Sequence, residues 1–505
     1  MTDRKPHFHI PVYPASEPRS TDFAAAVCGE TLPVLTARVS AVPFNTWWPG
    51  HQRPLDQTEI ASFAAFSMTE GAPVTLTVRS FRRIDSLEVR PASCGVKPRI
   101  EGNTVTLTVE KPCFFTLEVN GFARALHVFV SPEKDYGVDI HDPSVRYFGP
   151  GVHRAGLIRL YSGETLYLDE GAIVYGTVYA HNADGIRVLG RGILDASPYK
   201  RLQEYENDHS EGEAVIDALR ACGDPGGAGN VLMRHCKNVV IDGPVFRDPP
   251  EWSYNIYDCE NVVIRDVKLI GLWRYNADGI DIYVCKNVEI ADSFIRSFDD
   301  SIIARGRNAV RDPDVFEDFN VHDCVLWCDW GRALEVWTGG GTAHMCGITF
   351  RNIEIIRTAH IAIDVQIYGS GTTAIRDFVC ENVTAYGDEH ALRPVYQKTD
   401  AQVYVNTDTA YTPQFVFIGN AYVFEKPFNA QGRPVSVRYE DFTFKNIRFV
   451  GPHLPLSIIK TVPGFLTVEN VVFDGITVCG KAAENAEEMN LVAPSDAKIR
   501  FINQT

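Results

Sequence analysis

The sequence predicts an all-β molecule in two parts. An N-terminal β-sandwich covers residues 1–140, and a right-handed parallel β-helix of about ten turns covers residues 141–505. Three observations predict this. A tetrapeptide recurs as Cys236-Lys-Asn-Val, Cys259-Glu-Asn-Val and Cys285-Lys-Asn-Val, at intervals of 23 and 26 residues. A longer pattern, apolar-x-apolar-x-(Gly/Asp/Asn)-x-x-apolar, returns at similar intervals through most of the chain. Its apolar residues alternate with period two and are rich in Val, Ile and Phe, which is the chemistry of strands; helical spacing is nearly absent.

The first part reads as a sandwich because short alternating stretches follow one another about every ten residues. They are "PVTLTVRSF", "SLEVRPAS", "TVTLTVEKP", "FFTLEVNG" and "ALHVFVSP", separated by Gly, Pro and Asn. "SPEKDYGVDIHDPS" reads as a linker, and the coil begins at "VRYFGPGVH".

From there the long pattern appears as "LYLDEGAI" from Leu166 and "IRVLGRGI" from Ile186. It continues as "VVIDGPVF" from Val239, "VVIRDVKL" from Val262, "VEIADSFI" from Val288, "FNVHDCVL" from Phe319 and "ITFRNIEI" from Ile348. It ends as "FVCENVTA" from Phe378, "FTFKNIRF" from Phe442 and "VVFDGITV" from Val471. The first two copies are 20 residues apart; from Val239 onward the steps run from 23 to 31 residues, apart from one of 64 between Phe378 and Phe442, which is two turns or one turn with an insertion. Two or three short strands per period describe a parallel β-helix whose turns stack about 4.8 Å apart. No single turn can bury its own inner face, so many must stack. The Cys and Asn of the tetrapeptide then form vertical ladders. The Leu spacing of a leucine-rich repeat is not sustained.

Composition narrows the partners. A net charge of −16 argues against nucleic acid and against an anionic membrane surface. No apolar run reaches the roughly 18 residues of a spanning helix. The first twenty residues lack the apolar core of a signal peptide, so the expected location is the cytoplasm, with reduced cysteines. Cys324 and Cys328, in "CVLWC", have the spacing of half a zinc site, but no second pair lies nearby; neither metal nor cofactor is expected.

One stretch does not suit a stable core. "NADGIDIYVCKNVEIADSFIRSFDD", residues 276–300, places Asp278 between Asn276 and Gly279, and Asp299-Asp300 about one turn later. Aligning neighbouring turns puts Tyr254, Asp278, Asp300, Arg332 and His360 in one outer column, with Asp299 one residue aside. Carboxylates on adjacent turns repel, and one is expected to hold its proton. Two acids with separated pKa values suit glycosidic cleavage, in which one protonates the leaving oxygen and the other activates water. A lone Asp would more often be a solvated loop residue; three acids stacked with an Arg and a His are less easily read that way. Five of the seven tryptophans, Trp252, Trp273, Trp327, Trp330 and Trp337, lie in the same region. Aromatic faces stack on sugar rings, so Trp252 and Trp273 are expected in a cleft wall. Trp327 alternates with strand residues and is compatible with the core.

"NADGID", the Asp-Asp pair 21 residues after its first Asp, and "SIIARG" together resemble the N-T-D-G-x-D … D-D-C-x-A-x-K pattern of glycoside hydrolase family 28, the polygalacturonases and their relatives. The sandwich-then-helix plan and "YLDEGAIVYGTV … GRGILDAS" resemble family 49, the dextranase and isopullulanase group. The resemblance implies a carbohydrate substrate and an inverting mechanism. It implies Asp299 as general acid, with Asp278 and Asp300 holding and activating the water. Arg305 stands where family 28 has a lysine. Two departures matter. The Gly-His-Gly element falls on "DWGRALEVW", where Trp330, Arg332 and Glu335 stand instead of His. The Arg-x-Lys element that meets galacturonate falls on "TAHIAIDV", without either base. A neutral glycan is therefore expected, with Tyr254, Trp252, Trp273, Asn276, Arg305, Trp330, Arg332, Glu335, Trp337 and His360 as candidate substrate contacts. Arg305 and Arg332 remain the groups that could meet an acidic sugar. Two rival readings stay open. One is another carbohydrate-active β-helix enzyme, such as a fructan transferase, lyase or epimerase. The other is a non-catalytic glycan-binding β-helix, which would have no use for three Asp.

Overall fold

The computed structural model describes residues 7–41, 55, 58–201, 213–223, 228–306, 313–339, 342–368, 372–387, 414–420 and 436–502. The N-terminal strands form two sheets packed face to face. One is six-stranded and includes Leu35–Ser40, Thr58–Met68, Cys113–Val119 and Leu126–Pro132; the other is five-stranded and includes Phe23–Val27, Val74–Ser80 and Thr104–Val109. Alternation along each strand sends Phe23, Leu76, Leu107, Phe115, Leu117 and Val128 into the space between them.

From Val145 onward the strands form one 31-stranded, almost wholly parallel sheet wound into a right-handed β-helix. Each strand pairs with its counterpart one turn away. Lys237–Asp242 lies on Glu260–Arg265, and that on Lys286–Ala291. Phe378 pairs directly with Phe442, so the 64-residue step is one turn carrying an insertion. Residues 388–413 and 421–435 of that step lie outside the described residues.

The repeating pattern marks the corners. Asn238, Asn261 and Asn287 of the tetrapeptides have φ of 53°, 58° and 52°. Left-handed backbone is strained for most side chains, and Asn is among the few that tolerate it. Each also bonds its neighbour on the next turn, Asn287 to Asn261 at 2.7 Å and Asn261 to Asn238 at 3.0 Å. The Gly/Asp/Asn position of the longer pattern makes a second such corner at Gly243, Asp266, Asp292, Asp323 and Asn352. Inside the coil, the backbone amides of Cys236 and Cys259 each point at the thiol of the next cysteine, 3.3 Å away. All twelve cysteines are free thiols.

These corners divide each turn into three faces. The first holds Tyr254–Tyr257, Ile280–Tyr283, Ile302–Arg305, Arg332–Gly339 and Ile361–Tyr368. The second is the Lys237–Asp242 stack. The third holds Val245–Arg247, Lys268–Ile270, Phe294–Ser297 and Val325–Cys328. The sandwich packs on the third face, where Phe63, Phe114 and Phe129 meet Val245, Ile270, Phe294 and Trp327. Buried ion pairs cross this seam. Arg357 lies 2.6 Å from Glu118, and Arg247 lies 2.5 Å from Glu17. Arg296 reaches His127 at 3.1 Å and Asp329 at 3.4 Å. Among the described residues, the apolar contacts of the sandwich fall on the third face and not on the first.

Candidate active site

Asp299 and Asp300 occupy the bend between third-face strand Phe294–Ser297 and first-face strand Ile302–Arg305. The Ser297 hydroxyl donates to the Asp299 carbonyl at 2.6 Å and shares a 2.8 Å hydrogen bond with the Ser301 hydroxyl. The next turn presses close. A Cβ at Gly331 would lie 2.5 Å from Oδ1 of both Asp299 and Asp300, so only glycine fits there. One turn to the other side, the Gly279 amide donates to the Asp300 carbonyl at 2.8 Å, which sets Asp278 beside Asp300.

Strand alternation supplies more acids. Ile280 and Ile282 point into the core, so Asp281 and Tyr283 point outward. Glu335 and Trp337 fall in the same outward register one strand beyond Ile303 and Arg305, and Asp364 and Gln366 follow on the next turn. Six carboxyls thus converge: Asp278, Asp281, Asp299, Asp300, Glu335 and Asp364, each at most 5% exposed. Two cations answer them. Arg305 Nε donates to Asp281 at 2.7 Å and its Nη2 to Asp278 at 3.3 Å. Its guanidinium lies against the rings of Trp337, Trp252 and Tyr283, at 4.9, 5.3 and 5.4 Å. The Arg332 amide donates to Asp300 Oδ1 at 2.7 Å. The Arg332 side chain lies 3.6 Å from Asp300 and 3.3 Å from Asp364.

Six buried acids and two cations cannot all be charged, because an unpaired buried carboxylate is costly. Burial and the charge of Asp300 push Asp299 well above the usual carboxylate range, against the pull of Arg332, Arg305 and the Asn276 amide, which donates to Asp299 at 3.1 Å. Burial, with Asp281, Asp299 and Asp300 nearby, does the same to Asp278. Asp300 goes the other way. Burial raises it, but Arg332 and Arg305 together hold it below the ordinary value. Burial lifts Asp281 and Asp364 to about 7. The surroundings therefore push two adjacent carboxyls in opposite directions.

The predicted residues divide. Asp278, Asp299, Asp300, Asn276, Arg305, Arg332, Trp252 and Trp337 do come together. Tyr254 does not: it pairs with Ile280, is 0% exposed, and stacks edge-on against Phe246 in the core at 4.9 Å. The register partner of Arg332 is Ile361, so His360 stands one residue beside the column. Trp330 is buried flat against Phe298 at 5.2 Å. Trp273 is buried, bonds Asp248 at 2.8 Å, and carries Arg274 and the sandwich's Arg38 against its ring, so it forms no open cleft wall. Glu335 is buried, 1% exposed. Asp281, Tyr283, Asp364 and Gln366 were not anticipated. Their signal is the outward position in "IDIY" and "IDVQ", readable once the strands are aligned. Among the described residues, no group of three His, Cys, Asp or Glu has the geometry to hold a metal ion.

Residues 228–384, which include all six acids, match the family described as Glycosyl hydrolases family 28. The chain is 27% identical over 207 residues to Exopolygalacturonase clone GBGE184 of Arabidopsis thaliana, covering 35% of this chain and 49% of that protein. It is 21% identical over 292 residues to Isopullulanase of Aspergillus niger, covering 52% of this chain and 49% of that protein. The chain thus spans about half the length of these relatives. Dex49A from Penicillium minioluteum shares the fold, with a TM-score of 0.67 and 14% identity over 98% of this chain and 96% of that one. Residues 228–384 are thus similar to glycosyl hydrolases of family 28, and the chain as a whole has the fold of Dex49A, a parallel β-helix behind an N-terminal sandwich.

Proposed function

We propose that the protein is an inverting glycoside hydrolase acting on a neutral poly- or oligosaccharide. The observation that carries this is the convergence of Asp278, Asp299 and Asp300 at adjacent turns, in surroundings that push the pKa of Asp299 up and that of Asp300 down. Asp299 holds the proton that a leaving glycosidic oxygen needs. Asp300 is the carboxylate that takes a proton from the attacking water, and Asp278 holds that water from the adjacent turn. The water oxygen bonds the anomeric carbon as the bond to the leaving sugar breaks. The water's proton ends on Asp300 and that of Asp299 on the leaving group, and exchange with solvent resets the pair.

Relatives pull the substrate two ways, one named for polygalacturonate and one for pullulan. Electrostatics favours the neutral side. Arg305 is engaged by Asp278 and Asp281, and Arg332 by Asp300 and Asp364, so neither is open to a uronate carboxylate. The site also carries more acid than base. Comparing kcat/KM on fragments of dextran, pullulan, fructan, arabinan and polygalacturonate tests this. Preference for a neutral chain is expected; a clear preference for polygalacturonate overturns the substrate class.

A further inference from the structure

Asp299 is set apart from the other five acids. Among the described residues no Arg, Lys or His lies within ion-pair distance of it, whereas Arg305 and Arg332 reach all the others. Its carboxyl receives one hydrogen bond, from Asn276, whose Nδ2 donates to Oδ2 at 3.1 Å. No described residue donates to Oδ1. The Asn276 amide is in turn gripped from behind. Arg201 Nη1 donates to Asn276 Oδ1 at 3.3 Å and to the Tyr275 carbonyl at 2.5 Å, and its Nη2 donates to Glu251 Oε1 at 2.9 Å. The guanidinium also lies against the Tyr275 ring at 5.5 Å, and Arg201 is buried. Arg201 follows strand Ile193–Asp195, whose partners on successive turns are Val245–Arg247, Lys268–Ile270 and Phe294–Ser297. It thus reaches from its own turn across the bend that holds Glu251 to the bend that holds Asn276, and Asn276 reaches Asp299 on the turn after that.

A guanidinium only donates, and an amide has one accepting end and one donating end. Turned the other way, Asn276 would set its NH2 against Arg201 and its oxygen against Asp299. We propose that Arg201 is a positioning residue: by holding the Asn276 oxygen it turns the Asn276 NH2 onto Asp299 Oδ2, and so fixes Oδ1 as the oxygen that carries the proton of the general acid. In a neutral carboxyl group the carbonyl oxygen accepts and the hydroxyl donates, so an N–H at Oδ2 leaves the proton to Oδ1. The role rests on Asp299 being the general acid. Arg201 itself stands three turns from Asp299 and acts only through Asn276. The competing role for Arg201 is to pair with Glu251 and hold the two bends together.

Four variants separate these roles. Asn276 has φ of 52°, so Asn276→Gly removes the amide without adding backbone strain. Arg201→Met releases the amide, and Arg201→Met combined with Glu251→Gln does so without leaving an unpaired carboxylate in the interior. N276G and R201M are each expected to lower kcat about tenfold, the scale of one hydrogen bond, with little change in KM. An N–H at a carboxyl favours its ionised form, so losing it should also move the base limb of the pH profile upward. R201M/N276G should be no slower than N276G alone, because the two residues act in series. R201M/E251Q should regain stability relative to R201M yet stay as slow. Additive losses in R201M/N276G, a base limb that stays in place, or recovery of kcat in R201M/E251Q overturns the proposal. Neutron diffraction from deuterium-exchanged wild-type crystals reads the arrangement without any substrate. Deuterium on Asp299 Oδ1, with the Asn276 amide nitrogen facing Oδ2, supports the role even if every glycan tried is refused, in which case it is the hydrolase reading that fails. Deuterium on Oδ2 or on neither oxygen, or the Asn276 oxygen facing Asp299, overturns it directly.

Discussion

At Asp299 burial and the neighbouring carboxylate both oppose ionisation, while at Asp300 the Arg332 amide and side chain, with Arg305, outweigh the same burial. In the proposed mechanism this divides the labour between adjacent residues. Asp299→Asn should reduce turnover at least about 10²-fold, the usual scale for a lost general acid, with little change in melting temperature. A variant that unfolds but keeps its specific activity would make Asp299 a structural residue. The pH profile follows from the directions of the two shifts. In the proposed mechanism activity needs Asp300 ionised, so it is expected to fall as pH drops through a pKa below the usual Asp value of about 3.9. It also needs Asp299 protonated, so it falls as pH rises through a pKa well above that value. A broad plateau of kcat/KM between the two limbs is expected; an acid limb above about pH 5 would contradict the assignment. At this scale the acids were legible from spacing, whereas Asp281 and Asp364 were not, because an outward Asp in an alternating strand looks solvated until its neighbours bury it. Tyr254 misled for a related reason. Bends vary in length at the start of each strand, and Tyr254 pairs with Ile280 and not with Asp278.

Among the elements, the corners do the most to fix the fold. Each tetrapeptide Asn takes a backbone conformation that other side chains resist and joins a hydrogen-bond ladder running up the coil. Asn261→Ala should cost about 1–3 kcal/mol, from left-handed strain together with the lost hydrogen bonds. Asn261→Gly relieves the strain and should cost less. Denaturant unfolding of both variants checks this, and equal losses would mean that the ladder alone matters. This is why the helix could be read from sequence at all. Corners repeat because only Asn, Asp and Gly suit them, and the alternating strands between them face a common core. The connections between faces carry no such constraint. Their lengths vary, and the register of His360 against Arg332 was missed by one residue there.

For the whole molecule, the decisive feature is the seam between sandwich and helix. Its apolar contacts and buried ion pairs join the two parts, and the apolar contacts fall on the third face, away from the acid cluster. Neither the seam nor its ion pairs was visible in sequence, since a strand buried by another domain reads the same as one buried by its own. The two parts are expected to unfold in one transition. Arg296→Met should keep that single transition while lowering stability by about 3–5 kcal/mol, because it strands Asp329 in the interior. A separate early transition from the sandwich would show that the seam is weak. The chemistry itself is tested most directly by NMR of the first-formed anomer when the protein cleaves its preferred glycan, with the Asp299→Asn variant beside it. Release of the inverted anomer by the wild type, and its near absence with the variant, is the predicted result; a retained anomer, or equal release by the variant, would contradict the assignment of Asp299 and Asp300.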